Sequence, residues 1–328
     1  MGIGKLNEVL KNKGVDCFKT IPWVDFAGKR VAIDLDILLR QHWSIQSEAV
    51  CLATNVYTQS VDIELMESRT ISAVCQAIRS NYLLRGVTPV IVWGGVAPPE
   101  KDLCARRRRK IDHVKAMEKY QKEFEFNKPS SSNDIIIPRV YTELSKLLTK
   151  TLMPSKRVES KIVETLMRDG VCALKAVTEA EELCAALCLE GIVHAVYSTD
   201  TDNIVRRCPI LITKITSAES APSIYEQCAE VTLYSNALPT TMGFCYEQFV
   251  DLCIMLGCDY NDTVPRWGPD KCFKQLTQYK SIEAIVAAYP DIDFSCYNYE
   301  RCRSIFNLHH SRSSRECCAE PALIDFIV

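Results

Sequence analysis

The sequence predicts an α/β fold with a mostly parallel central sheet flanked by helices. Two observations carry this expectation. Short apolar runs such as Val31-Ala32-Ile33-Asp34 and Pro89-Val90-Ile91-Val92-Trp93 read as strands buried on both faces. Helix-patterned stretches alternate with such runs: Ile71 to Leu84 ends at Gly86 before the second strand, and strand, helix, strand recurs over Glu181 to Tyr197. That alternation calls for crossover connections, hence parallel pairing.

At 328 residues the chain can bury a large core, and a hydrophobic content of 47% with 24% charged residues is that of an ordinary soluble globular protein. The formal net charge of -2 is uninformative as a sum, because it conceals a strongly basic segment. Its 17 cysteines are scattered without a pair of Cys-x-x-Cys motifs, which argues against a structural zinc site and for reduced, buried thiols in a nuclear or cytoplasmic protein. No apolar run approaches the ~20 residues a membrane helix needs, and no signal-peptide core is visible at the N-terminus. Met1-Gly2 opens the chain, but Leu6 stands where a myristoylation signal wants Ser or Thr.

Taken in order, Leu6 to Lys13 reads as an amphipathic helix, and Asp34 as an acid delivered at the C-terminal end of a buried strand. Asp34 also suits the N-cap of the following helix. Between Pro98 and Pro154 the composition shifts. From Lys101 to Lys115, seven basic residues face two acidic ones, a local +5, with Arg106-Arg107-Arg108-Arg109-Lys110 at the centre. Such a cluster can neutralise backbone phosphates; a solvated helix face or a nuclear-import signal has the same composition. Pro129-Ser130-Ser131-Ser132-Asn133 breaks the helix, so the segment reads as an insertion into the α/β domain. After the strand Ile210-Leu211-Ile212 a less regular region runs to Pro239. Tyr246 to Leu256 is helical, Gly257-Cys258-Asp259-Tyr260 turns, Trp267-Gly268-Pro269 opens a second helix, and a third spans Ser281 to Ala288. A helix N-terminus after such a turn offers backbone amides to phosphate.

The stretch Thr178 to Asp202 concentrates acids. Glu179 and Glu181 open a helix, and Asp200 and Asp202, two apart at a strand exit, share one side of the backbone. Converging carboxylates repel unless a cation neutralises them, and an all-oxygen set suits Mg²⁺ or Mn²⁺. A solvated helix start with a capping box at Thr178-x-x-Glu181, followed by an Asp-rich turn, is the alternative.

The ordered acids Asp34, Glu179, Glu181, Asp200, Asp202 and Asp259 come with Thr178-Glu-Ala-Glu, Thr199-Asp-Thr-Asp, Gln248-Phe-Val-Asp-Leu-Cys-Ile, Leu256-Gly-Cys-Asp-Tyr and Trp267-Gly-Pro. In that order and spacing they resemble the flap endonuclease family of structure-specific 5′ nucleases, within the xeroderma pigmentosum G superfamily. The resemblance implies a PIN-like nuclease fold with an inserted helical arch and a helix-hairpin-helix element. It divides the chain into nuclease regions 1–97 and 158–245, a basic arch or cap at 98–157, a helix-turn-helix at 246–290 that tracks the DNA backbone, and a tail at 291–328. It implies two Mg²⁺ (or Mn²⁺) ions, one with Asp34, Glu179 and Glu181 and the other with Asp200, Asp202 and Asp259. Lys101 and Arg106 fall near arch positions that contact the scissile phosphate. Gly2 would pack beside the metals. Arg40, Arg107, Arg108, Arg109, Lys110, Gly257, Gly268 and Lys271 fall at nucleic-acid-binding positions, with a monovalent cation at the helix-turn-helix.

The implied partner is branched DNA with a 5′ single strand, in replication or repair. The terminal Glu320-x-x-Leu323-x-x-Phe326-Ile327 partly matches a sliding-clamp motif. Departures from the family pattern open two alternatives. Trp93-Gly94-Gly95 stands where the family has aromatic-Asp-Gly, removing a first-site carboxylate that Asp36 would replace if the strand continued. Arg40 replaces a base-stacking Tyr, leaving His42 or Trp43 to stack, and Arg266, Trp267 and Asp270 replace Gly, an aliphatic residue and Lys. A weakened or silent nuclease fold that binds nucleic acid or protein is one alternative. An RNA-cleaving relative is the other, since some viral host-shutoff nucleases share the Thr-Asp-Thr-Asp run.

Overall fold

The computed structural model describes residues 2–128, 138–216 and 226–307. The Pro129 to Asn133 break and the terminal Glu320 to Ile327 motif lie outside them. Two compact units share the chain: the first comprises Met1–Asp34, Ser80–Ala105 and Val171–Val328, the second Leu35–Arg79 and Arg106–Gly170.

A seven-stranded sheet forms the first unit. Its strands are β1 (Phe18–Pro22), β2 (Arg30–Asp34), β3 (Thr88–Trp93), β4 (Cys172–Lys175), β5 (Ala195–Tyr197), β6 (Ile210–Ile215) and β7 (Cys228–Leu233). They lie in the order β1-β7-β6-β5-β2-β3-β4, with β6, β5, β2, β3 and β4 parallel and β7 antiparallel to both β6 and β1. The expected mostly parallel sheet is therefore present. Its central strand β2 buries Val31, Ala32, Ile33 and Asp34 in succession, so both of its faces are covered and no solvent side is left for polar alternation. Pro89 sits near the start of β3, before the run of buried residues Val90, Ile91 and Val92.

Three strands escaped the sequence pattern. β7 lies in the region expected to be irregular; its Cys-Ala-Glu-Val-Thr-Leu alternates only weakly. β1 is an edge strand with a mostly exposed, polar pattern, and β4 is four residues long. Register carries the functional consequence. Asp34 pairs with Val92, and Ile33 with both Ile91 and Tyr197, so β2, β3 and β5 end level with one another. The C-terminal edge of the sheet thus presents Asp34, Gly94 and the Ser198 to Asp202 turn side by side, where ligands bind in open α/β sheets.

Helices Leu35–Ala53, Ile63–Asn81, Arg107–Phe126, Pro138–Thr149 and Lys156–Arg168 supply the second unit. Its small core includes Trp43, Val50, Cys51 and Met66. The basic helix Arg107–Phe126 buries none of its side chains, consistent with its polar composition all round.

Candidate metal centre

Each acid of the first unit is delivered by a different local device. Asp34 closes β2 and is 4% exposed. Glu179 is the N-cap of helix Ala180–Leu189 and Glu181 lies in its first turn. No side-chain cap bond forms there, so the Thr178-x-x-Glu181 capping box is absent and both Glu side chains are spared for other contacts. The helix itself is buried nearly all round because it packs on the sheet as a crossover. Asp200 and Asp202 flank the turn after β5, where the Asp202 N–H donates to Asp200 Oδ1 at 3.1 Å and the Asp200 N–H to Ser198 Oγ at 3.1 Å. Asp259 follows Gly257, which ends helix Tyr246–Leu256 at φ 91°.

Oxygens of Glu181, Asp200 and Asp202 lie within 4.8 Å of one another, all three residues buried. Lys101 Nζ reaches the same group: it pairs closely with Glu179 Oε1 and lies 3.4 Å from Asp259 Oδ2 and 3.8 Å from Glu181 Oε1. Tyr260, whose hydroxyl touches Glu179 Oε2 and lies 3.1 Å from Glu181 Oε1, links the two glutamates. Arg206 Nη2 in turn donates to the Tyr260 hydroxyl at 3.1 Å. Sequence reasoning missed both Tyr260 and Arg206. Tyr260 stood inside a matched motif, but nothing marked its hydroxyl for the glutamates, and an Arg206-Arg207 pair reads as surface.

Asp202 decides whether a cation fits. It is fully buried, and neither carboxylate oxygen has a hydrogen-bond partner among the described residues. An ionised carboxylate so placed is costly without a counter-ion. Burial, then the adjacent Glu181, pushes the carboxyls of Asp200 and Asp202 well above the usual range. Glu179 is also pushed up, by burial and Glu181. Glu181 goes the other way: burial opposes its charge, but Lys101 and Arg206 outweigh it. Hard oxygen donors, close together, buried and partly unsatisfied, fit a Mg²⁺-like or Mn²⁺-like ion.

The family model described as the XPG I-region matches residues 170–259, the stretch that carries five of the six acids. The chain is 29% identical over 294 residues to flap endonuclease 1 of Phaeodactylum tricornutum, covering 87% of this chain and 63% of that protein. It is 29% identical over 288 residues to flap endonuclease 1-2 of Paramecium tetraurelia, covering 87% and 67%. The chain is similar in sequence to flap endonucleases, and its residues 170–259 match the XPG I-region. It spans about two thirds of the length of those two relatives. In fold it is similar to the catalytic core of Rad2 in complex with DNA substrate, with a TM-score of 0.56 at 14% identity over 99% of this chain and 78% of that one. Flap endonuclease-1 from Methanococcus jannaschii gives 0.54 at 17%, over 88% and 81%.

The departures from the family pattern acquire structural form. Gly94 has φ 70°, and a Cβ there would meet only the Lys175 side chain, at 3.5 Å. Asp36 does not replace the missing acid by strand alternation: the backbone turns helical at Leu35, and Asp36 accepts from Arg40 Nε at 2.7 Å. Trp43 is a core residue whose Nε1 donates to the Leu152 carbonyl at 3.2 Å, so it is not a free stacking platform. Arg266 keeps a left-handed backbone, φ 65°, without the glycine that suits it. Trp267 is buried against Tyr289 and Phe294, with Lys271 Nζ 4.3 Å from its ring centroid.

Gly2 lies against the Asp200 and Thr201 turn. At φ 87°, a Cβ there would overlap Asp200 Oδ1, while the Ile3 N–H donates to Thr201 Oγ1 at 2.8 Å. Gly4 N–H donates to the Gly257 carbonyl at 2.8 Å, tying the N-terminus to the turn that bears Asp259. Gly268 is the N-cap of helix Pro269–Tyr279. Arg106 ends a π-helical turn, and Arg107 to Lys110 begin the exposed helix of the second unit. Among the described residues, no helix is long and apolar enough to cross a membrane.

Proposed function

We propose that this chain is a divalent-metal-dependent, structure-specific 5′ nuclease that hydrolyses phosphodiester bonds in branched DNA. The observation that carries the reading is the buried Glu181, Asp200 and Asp202 cluster with Asp202 unsatisfied at both oxygens. Asp34, Glu179 and Glu181 would hold one Mg²⁺ or Mn²⁺ ion, and Asp200, Asp202 and Asp259 a second. Such ions supply Lewis-acid activation of the attacking water and stabilisation of the leaving oxygen.

In this reading Lys101 orients the scissile phosphate by donating to its oxygens, its alkyl stem keeping the ammonium at the edge of the carboxylates. Arg106 to Lys110 receive the 5′ single strand through phosphate contacts. The Gly257 turn, Gly268 and Lys271 engage the duplex backbone, with a monovalent cation in the turn. A sliding clamp would engage the terminal segment, and the compartment is nuclear or cytoplasmic.

A cleavage assay on a 5′-labelled flap substrate, with Mg²⁺ or Mn²⁺ against chelator, tests the reading. Wild type should cut and Asp200→Asn should not; no ion-dependent product from wild type that still binds the substrate refutes it. The Gly94 backbone favours a second reading, a weakened nuclease, because no carboxylate reaches the first site from β3. Gly94→Asp should then lower the Mg²⁺ concentration for half-maximal rate, and an unchanged requirement counts against it. A flap of ribonucleotides distinguishes an RNA-cleaving relative. Alanine at Arg107 or Arg108 should make the salt dependence of binding shallower by about one unit of slope each.

A further inference from the structure

Arg206 is fully buried at the C-terminal end of the short helix Asp202–Val205, where its own N–H donates to the Asp202 carbonyl at 3.0 Å. Its guanidinium has three kinds of neighbour. Nη2 donates to the Tyr260 hydroxyl at 3.1 Å, Nη1 donates to the Ile305 carbonyl at 3.1 Å, and the face lies 5.5 Å from the Phe306 ring centroid. Phe306 also meets Tyr260 edge to face at 5.6 Å, so both side chains are clamped.

Tyr260 has one hydroxyl proton, and its oxygen already accepts from Arg206. That directs the proton toward Glu179 Oε2 and Glu181 Oε1, the carboxylate oxygens in reach. A guanidinium that stays charged at every working pH is an expensive way to fill a core, since an apolar side chain of similar volume packs as well without the desolvation cost. Burying this one beside Glu181, Glu182 and Asp202 makes sense if its charge and fork geometry act on the carboxylates.

We propose that Arg206 is a positioning residue for the nuclease reaction: through the Tyr260 hydroxyl it fixes the orientation in which Glu179 and Glu181 present their oxygens to a divalent ion. The inference rests on the nuclease reading of the same site. Groups that orient carboxylate ligands in this way are worth roughly 10- to 100-fold in ion affinity or rate.

The test is a double-mutant cycle on the full chain with Arg206→Lys, Tyr260→Phe and the pair, using Mn²⁺ alone as probe. Free Mn²⁺ is followed by electron paramagnetic resonance, and kcat and KM are measured on the flap substrate. Tyr260→Phe keeps the ring and removes only the hydroxyl, so it carries the test if Arg206→Lys does not fold. Tyr260→Phe should weaken Mn²⁺ binding and lower kcat roughly 10- to 100-fold with KM little changed. Arg206→Lys should act in the same direction. Because both act through one hydroxyl, the double variant should be no worse than the worse single one within about twofold.

Wild-type Mn²⁺ affinity in Tyr260→Phe overturns the proposal. So do losses that multiply in the double variant, or an Arg206→Lys protein that melts earlier while binding Mn²⁺ and turning over normally. A wild type that binds Mn²⁺ but cleaves nothing refutes the nuclease reading alone, and the cycle in Mn²⁺ affinity still decides the role of Arg206. A wild type that binds no Mn²⁺ refutes both.

Discussion

Asp202 offers a perturbation whose sign reverses with conditions. Its carboxylate is fully buried and neither oxygen has a hydrogen-bond partner among the described residues, so without a divalent ion it works against folding. Asp202→Asn keeps the shape and removes the charge. In chelator the buried acid must either ionise without a partner or hold a proton that the unfolded chain releases, and removing that penalty is worth about 1–3 kcal/mol near neutral pH, so the chelated variant should be more stable than chelated wild type by that amount. Adding Mn²⁺ at about 100 times its dissociation constant should stabilise wild type by about 2.7 kcal/mol, and the variant by much less, because a ligand stabilises only the state that binds it. The two urea-unfolding midpoints should therefore cross: variant above wild type in chelator, wild type level with it or above in Mn²⁺. Equal responses of both proteins to Mn²⁺ would refute the ligand role of Asp202. A variant that is less stable in chelator by several kcal/mol would refute the argument that the carboxylate is unpaid in the ion-free chain.

Three further outcomes follow from the same geometry. Asp200 and Asp202 hold protons in the folded chain that the unfolded chain releases near pH 4, so their ion-free contribution to stability declines as pH rises from about 4 toward their raised native values. The advantage of Asp202→Asn over wild type in chelator should accordingly widen with pH, and an advantage independent of pH from 4 to 8 would contradict the shift. A Cβ on Gly95 would fall on the Thr178 carbonyl oxygen, whereas one on Gly94 meets only side-chain carbons at 3.5 and 3.7 Å. Gly94→Ala should thus cost about 1–2 kcal/mol from its backbone angle alone, while Gly95→Ala should exceed ~4 kcal/mol; similar urea midpoints for the two would refute this. Arg303 holds buried Asp251 through Nε at 2.6 Å and Nη2 at 2.7 Å, so Arg303→Met should cost about 3 kcal/mol by leaving that carboxylate unpaired. Recovery of stability in Asp251→Asn, Arg303→Met would support this cause, and no recovery would exclude it.

What could be read before the structure was whatever announces itself locally. β2 and β3 are continuous apolar runs, and helix Tyr246–Leu256 has its Gly257 stop. Edge strand β1 is stabilised by pairing with the weakly patterned β7, which lies some 200 residues further along the chain, and β7 pairs with β6 on its other side. Glu181, Asp200 and Asp202, which the fold brings together, were legible because motif spacing places each at an element end. Their partners were not: the Tyr260 contact to Glu179 spans 81 residues and the Arg206 contact to Ile305 spans 99. Asp36 misled for a definite reason, since strand alternation was extrapolated one residue past the point where the backbone becomes helical.

The level ends of β2, β3 and β5 carry a consequence for biosynthesis. Strand β2 is made early, yet its neighbour β5 follows some 160 residues later, and Asp259 is 225 residues beyond Asp34. At ~5–20 residues per second, on the order of 10–45 s separate the synthesis of the first acid from that of the last. Throughout that interval a nascent chain carries only part of the carboxylate set. It therefore cannot offer the complete set of acids to an ion before its sheet has closed around β5 and Asp259 has been made.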